Sequence, residues 1–221
     1  QIERHTLETP FGSPSSDLIE MGDGQRSILF LSRHGEDHAI PPHKVNYRAN
    51  IWALKEMGVK QVVAVAAIGG ITKAMLPGQV SIPNQIIDYT WGREHTFFDG
   101  PQVEHIDFSW PYCEALRTQL LQAASATGVN AVDGGTYGAT QGPRLESAAE
   151  ISRMEQDGCD IVGMTGMPEA GLARELELCY AGCAVSANWA AGKSEGEITM
   201  EEITENLKSG MAQVKEIINA L

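Results

Sequence analysis

No run of apolar residues in this 221-residue chain reaches bilayer-spanning length, and no signal peptide opens it. An initiator methionine is missing too, so Gln1-Ile2-Glu3 reads as an interior point of a longer chain. Positive charge is scarce: 16 Lys and Arg stand against 29 Asp and Glu, a net −13. That argues against nucleic acid and anionic membranes as partners, and leaves any anionic substrate to be held by local cations and amides. Cysteine is sparse, and Cys113, Cys159, Cys179 and Cys183 have neither zinc-type nor CxxC spacing. They are expected to be reduced core residues of a cytoplasmic protein. No serine sits in a nucleophile elbow, and no Walker lysine is present. His34, His38 and His43 lack the i,i+4 spacing of a zinc helix, so no metal is expected. Without repeats, low-complexity tracts or linkers, the length fits one domain.

Buried strands and amphipathic helices do alternate along the chain, at 43% hydrophobic content. Strands are predicted at Ser27–Leu31, Gln61–Ile68, Val80–Ile87, Gly134–Thr140, near Asp160–Met164 and at Cys179–Ser186. A helix is predicted from about Val45 to Met57, closed by Gly58. Another opens at Ser109 and closes at Gly128. A third follows the capping box Ser147/Glu150, and a last one follows Thr199/Glu202. This interleaving predicts an α/β fold with a mostly parallel or mixed sheet. The loop from Asp88 to Ser109 is long for a compact domain, as functional or interface loops are.

In open α/β sheets, ligands sit beyond the carboxyl ends of strands. Four strand-end turns carry suitable groups: Ser32–Gly35, Ala66–Gly70, Met164–Gly166 and Ser186–Asn188. A fifth candidate is Glu146 in a Gly-Pro loop. Arg33-His34-Gly35, the run Asn46 to Lys55, Gly142-Pro143-Arg144 and Met164-Thr165-Gly166-Met167-Pro168-Glu169 occur in that order. Together they resemble the trimeric purine nucleoside phosphorylase and methylthioadenosine phosphorylase family, with the S-methyl-5'-thioinosine phosphorylases the nearest branch. The resemblance implies a single domain, residues 1–221, with a central mixed, partly barrel-like sheet flanked by helices. It implies phosphorolysis: phosphate attacks C1' of a purine nucleoside and the purine departs. No cofactor is implied, inorganic phosphate being a co-substrate. Arg33, His34 and Thr165 match the family's phosphate residues, and Ala67 and Met164 match places beside the nucleoside. His105 matches a loop histidine that reaches the neighbouring subunit's site in a homotrimer. Two departures stand out. The family's opening strand and Gly-Gly-Thr-Gly phosphate loop have no counterpart before Thr9-Pro10-Phe11-Gly12, and Ala66 falls where relatives often carry Thr or Asn.

Hydrogen-bond inventory bears on the base. A 6-oxopurine offers a donor at N1 and an acceptor at O6, whereas a 6-aminopurine reverses both. Glu146 as a carboxylate only accepts, and Asn188 both donates and accepts. Glu146 therefore suits N1–H of a keto-purine, and Asn188 suits O6 and N7–H. Mismatched pairing in a buried site discriminates by about 10⁴. These two are the expected catalytic residues. Met200 and Ile203 lie one helical turn apart, either lining an apolar pocket for a 5'-methylthio group or opening the core stripe of the last helix. The expectation is phosphorolysis of S-methyl-5'-thioinosine to hypoxanthine and 5-methylthioribose 1-phosphate. Inosine/guanosine phosphorolysis, methylthioadenosine phosphorolysis and non-catalytic purine-nucleoside binding remain as alternatives.

Overall fold

The computed structural model describes residues 2–22, 26–196 and 198–221. Gln1, named in the sequence reading, lies outside the described residues.

Among the described residues, ten strands form two sheets, flanked by five α-helices. The larger sheet holds β4 (Gln61–Gly70), β5 (Val80–Ile82), β6 (Gln85–Asp88), β7 (Val132–Asp133), β8 (Thr136–Ala139), β9 (Ile161–Gly163) and β10 (Cys179–Trp189). Its order is β6-β8-β9-β4-β10-β5-β7, and it is mixed and curled into a partial barrel. The long parallel pair β4 and β10 is its spine: Gln61 to Ile68 run beside Cys179 to Ser186. Ala187 is then an extra residue, and Asn188 and Trp189 resume opposite Gly69 and Gly70. β9 meets β4 antiparallel only at Gly69 and Gly70, so 61–68 have no ladder partner on that side among the described residues.

The faces of β4 and β10 separate by alternation. Val63, Val65, Ala181, Cys183 and Val185 pack under α2 (Glu114–Ala126) and α5 (Met200–Ala220). Ala64, Ala66, Gly182 and Ala184 point into the barrel, where small side chains leave room for larger polar ones. α1 (Tyr47–Glu56) and α4 (Gly166–Glu175) cover another flank. α3 (Ala148–Gln156) seals the end where Ile151, Met154, Val162 and Ala190 meet. No described helix is long and apolar enough to cross a membrane.

Local signals explain most boundaries. Ser147 and Glu150 form the full capping box of α3, and Thr199 accepts from the Glu202 amide at the start of α5. Asn46 caps α1 by accepting from the Ala49 amide. Other expectations need correction. Ser27–Leu31 is not a buried core strand. As β3 it joins β1 (Ile2–His5) and β2 (Leu18–Gly22) in a small antiparallel sheet, with Phe30 exposed. Val80–Ile87 is two strands, because Pro83 cannot donate to a ladder, and β5 and β6 end on opposite wings of the sheet. The helix expected at Ser109 begins at Glu114. The Ser109 amide is held by Asp107, and the Cys113 amide donates to the Tyr180 carbonyl, which keeps the intervening backbone out of a helix.

That last contact also overturns the expectation of four reduced thiols. It draws Cys113 and Cys179 to a Cα separation of 5.1 Å, and they form a disulfide across 66 residues. Cys159 and Cys183 are free and buried.

Candidate active site

The turn after β3 sends Arg33 into the barrel. Its Nε and Nη2 donate to both oxygens of Glu169 at 2.5 and 2.7 Å, and Nη1 donates to the Val65 carbonyl at 3.3 Å. Tyr180 Oη donates to the same carboxylate at 2.9 Å. Burial disfavours the guanidinium charge, but the adjoining Glu169 outweighs that and holds Arg33 above its ordinary value. Five N–H groups are available on a guanidinium, so this bidentate pairing leaves donors over. Arg33 and Thr165 line one small enclosed cavity together with Ala66, Tyr137 and Tyr180.

Thr165 sits between β9 and α4, buried, its amide donating to Tyr137 Oη at 3.4 Å. Met167 inside α4 is extended, so regular helix starts at Pro168, where a missing amide hydrogen costs nothing. His34, half-buried in the Arg33 turn, places Nδ1 2.8 Å from the Ile40 carbonyl. Since a carbonyl only accepts, Nδ1 carries the proton and Nε2 faces the other way. Burial, followed by the nearby Arg33 charge, holds this imidazole below its usual value despite the Ile40 bond.

Glu146 lies beyond β8. Its Oε1 accepts from Thr140 Oγ1 at 2.6 Å, and the Thr140 amide donates to the Gly163 carbonyl at 2.8 Å. The carboxylate is thereby tied to the strand end that continues into Met164 and Thr165. Met164 fills the space beside Gly142: a Cβ there would stand 2.4 Å from Met164 Sδ and 2.9 Å from Pro42 Cγ. Asn188, 8% exposed, follows the bulge in β10 and donates from Nδ2 to the Trp189 carbonyl at 2.7 Å. Asn188 pairs with Gly69, which pairs with Val162, so it lies two strands from β9, about 10 Å at ordinary strand spacing. Beyond it the chain folds back onto α3. A Cβ on Gly192 would come within 2.7 Å of Ala148, two residues past Glu146.

The remaining predicted residues are more dispersed. Ala67 is exposed, one residue from the cavity-lining Ala66. Ile203 is half-buried and Met200 is 72% exposed, so within this chain Met200 lines a shallow surface hollow rather than a closed pocket. His105 is exposed on the loop before α2. The one described group with metal-ligand spacing is Glu3, His5 and Glu20, on the small sheet away from these residues.

Three polar partners escaped the sequence reading: Glu169, Tyr180 and Arg93. Glu169 did carry a signal, as a lone carboxylate in an otherwise apolar stretch that has to find a buried partner. Arg93 is the only arginine of the 88–109 loop and donates to the carbonyls of Met164, Met167, Thr140 and Gln141.

With this geometry in hand, similarity to known proteins is informative. The sequence profile of the phosphorylase superfamily matches residues 1–221. The "Probable S-methyl-5'-thioinosine phosphorylase" of Pseudomonas syringae pv. tomato is 57% identical over 95% of this chain and 86% of its own length. The 6-oxopurine nucleoside phosphorylase of Pyrococcus furiosus is 45% identical over 97% of this chain and 83% of its own. Among solved structures, methylthioadenosine phosphorylase from Schistosoma mansoni bound to tubercidin superposes with a TM-score of 0.93 at 35% identity, covering 99% of this chain and 84% of that one. A methylthioadenosine phosphorylase from an antarctic soil metagenomic library gives 0.95 at 32% identity, covering 100% and 78%. Sequence and fold agree: the chain belongs to the phosphorylase superfamily, among its nucleoside phosphorylases.

Proposed function

We propose that this protein cleaves S-methyl-5'-thioinosine with inorganic phosphate, releasing hypoxanthine and 5-methylthioribose 1-phosphate. What supports the reading is that Glu146 is anchored by Thr140 at the end of β8 and that Asn188 stands near the end of β10, which joins β9 through β4. Thr140 occupies one carboxylate oxygen, and the other accepts N1–H of the base. Asn188 spends one N–H on Trp189, keeping its second N–H for O6 and its Oδ1 for N7–H. As the glycosidic bond breaks, its electron pair passes to the purine, N7 takes up a proton from solvent, and Asn188 Oδ1 accepts from that N7–H to stabilise the leaving base. Arg33, His34 and Thr165 hold phosphate beneath the sugar, with Glu169 fixing the guanidinium plane. Phosphate then supplies its oxygen to C1' as the sugar turns oxocarbenium-like. Positioning and electrostatics supply the rate, with no covalent intermediate on the enzyme. The names of the Pseudomonas and Pyrococcus relatives support a keto-purine substrate.

The active assembly is taken to be a homotrimer, with His105 completing a neighbour's site. Trp91, Val103, Ile106 and Trp110, all exposed on the same loop, support a second copy covering that loop. Methylthio preference rests on Met200 and Ile203 being enclosed in that assembly.

One assay set decides among substrates. Methylthioinosine, methylthioadenosine and inosine are each incubated with and without phosphate, and free base is followed. Phosphate-dependent release greatest from methylthioinosine is expected. Faster release from methylthioadenosine, whose aminopurine the Schistosoma structures accommodate, refutes the roles given to Glu146 and Asn188. Tight binding with no release would mark a nucleoside-binding protein instead.

A further inference from the structure

Arg93 lies in the loop between β6 and α2, half-buried, and its guanidinium meets main chain from two separate loops. From the segment after β8 it takes the carbonyls of Thr140 at 3.1 Å and Gln141 at 2.9 Å, with Gln141 Oε1 at 3.2 Å. From the segment after β9 it takes the carbonyls of Met164 at 2.8 Å and Met167 at 2.6 Å. The Tyr47 hydroxyl accepts at 3.2 Å, and the guanidinium carbon stands 5.4 Å from the Tyr47 ring centre. Every partner is a neutral oxygen. A planar fork of five donors can bridge carbonyls that point at one another from different loops, whereas an ammonium is a single point of charge.

What these two loops carry gives the arrangement its meaning. Thr140 presents Glu146 through its hydroxyl, and Met164 leads directly into Thr165. One loop therefore faces the purine and the other the sugar and phosphate. Thr140 adds a second polar link between them by bonding the Gly163 carbonyl, and Met164 packs against Gly142. We infer that Arg93 is a positioning residue of the phosphorolysis site, a clamp that fixes the span between the base-side carboxylate and the phosphate-side threonine. The inference rests on the function proposed above for those two residues. Catalysis by positioning is sensitive to misplacements of about 1 Å, so a loosened span weakens both half-sites together.

The test uses the full chain and two variants, Arg93→Ala and Arg93→Lys. In Arg93→Ala, KM for nucleoside and KM for phosphate are expected to rise together, with kcat lower by ~100-fold. The preference for hypoxanthine-yielding over adenine-yielding substrate narrows. Added guanidinium chloride restores part of kcat in Arg93→Ala only. Arg93→Lys keeps the charge but not the fork and stays close to Arg93→Ala. A variant with wild-type KM for both substrates and wild-type base preference overturns the inference. So does lost activity that merely tracks lost folded protein, without guanidinium rescue.

Amide hydrogen exchange supplies a readout that needs no substrate and serves if Arg93→Ala does not fold. In Arg93→Lys the amides of Thr140 and Thr165 are expected to exchange faster together by ~10-fold, with β4 unchanged. Loosening of one loop alone, or of neither, refutes the clamp. A wild-type protein that phosphorolyses no purine nucleoside sinks the function instead and leaves the clamp to be judged by exchange.

Discussion

At the scale of single residues, the buried Arg33–Glu169 pair sets the terms. An ion pair inside a barrel is a weak source of stability, because taking both charges from water offsets their attraction. Here the carboxylate also accepts from Tyr180, and the bidentate geometry fixes which guanidinium edge stays free. His34 beside it has a testable pH signature. Burial holds its folded-state value below the ordinary 6.5, so the unfolded chain takes up a proton that the native one refuses. Its stabilising contribution is complete above that unfolded value and is lost as pH falls through it toward the folded one. Melting temperatures of His34→Gln and wild type, measured between about pH 5 and 7, should converge toward the acid end. Parallel curves would contradict the burial-driven shift. For base choice, Asn188→Asp should move the hypoxanthine-to-adenine rate ratio toward adenine by at least ~10-fold, since a carboxylate cannot donate to O6. An unchanged ratio removes Asn188 from base recognition.

At the scale of elements, the loop after β8 is tightly constrained at Gly142. Gly142 combines a φ of +59° with Met164 and Pro42 packed where a side chain would go. Gly142→Ala is expected to cost about 1–3 kcal/mol in chemical denaturation and to displace Met164, raising KM for nucleoside. Wild-type values for both would show that the loop yields. Much of this level was legible from sequence. Capping residues act on their own next turn, so Ser147, Thr199 and the glycines after α1 and α2 marked real boundaries. The runs that carry Arg33, Thr165 and Asn188 fall at strand ends, while Glu146 lies in the loop between β8 and α3. β1 and β2 went unseen because both faces of that small sheet are partly exposed and mix charged with apolar residues, leaving no clean alternation. The partners of Arg33 and Arg93 were invisible for another reason. Glu169 and the Met164 carbonyl are brought in across 136 and 71 residues, and such pairings exist only once the sheet has curled.

At the scale of the whole molecule, the exposed Trp91 and Trp110 on the 89–113 loop leave an apolar surface that one copy does not cover. Light scattering at micromolar protein should give three times the monomer mass, and activity should fall on dilution as assembly is lost. A monomer with full activity would detach His105 from catalysis. The Cys113–Cys179 bond acts at the same scale, because it divides the site topologically. Thr140, Glu146, Met164, Thr165 and Glu169 sit inside the covalent ring, while Arg33, Arg93 and Asn188 sit outside it. The Arg144 side chain is 72% exposed and within the ring. A trypsin nick there should leave a molecule that migrates as one species on a non-reducing gel and as two once thiol is added. The severed halves would stay threaded together, so backbone integrity near the base pocket and covalent wholeness of the protein become separable properties.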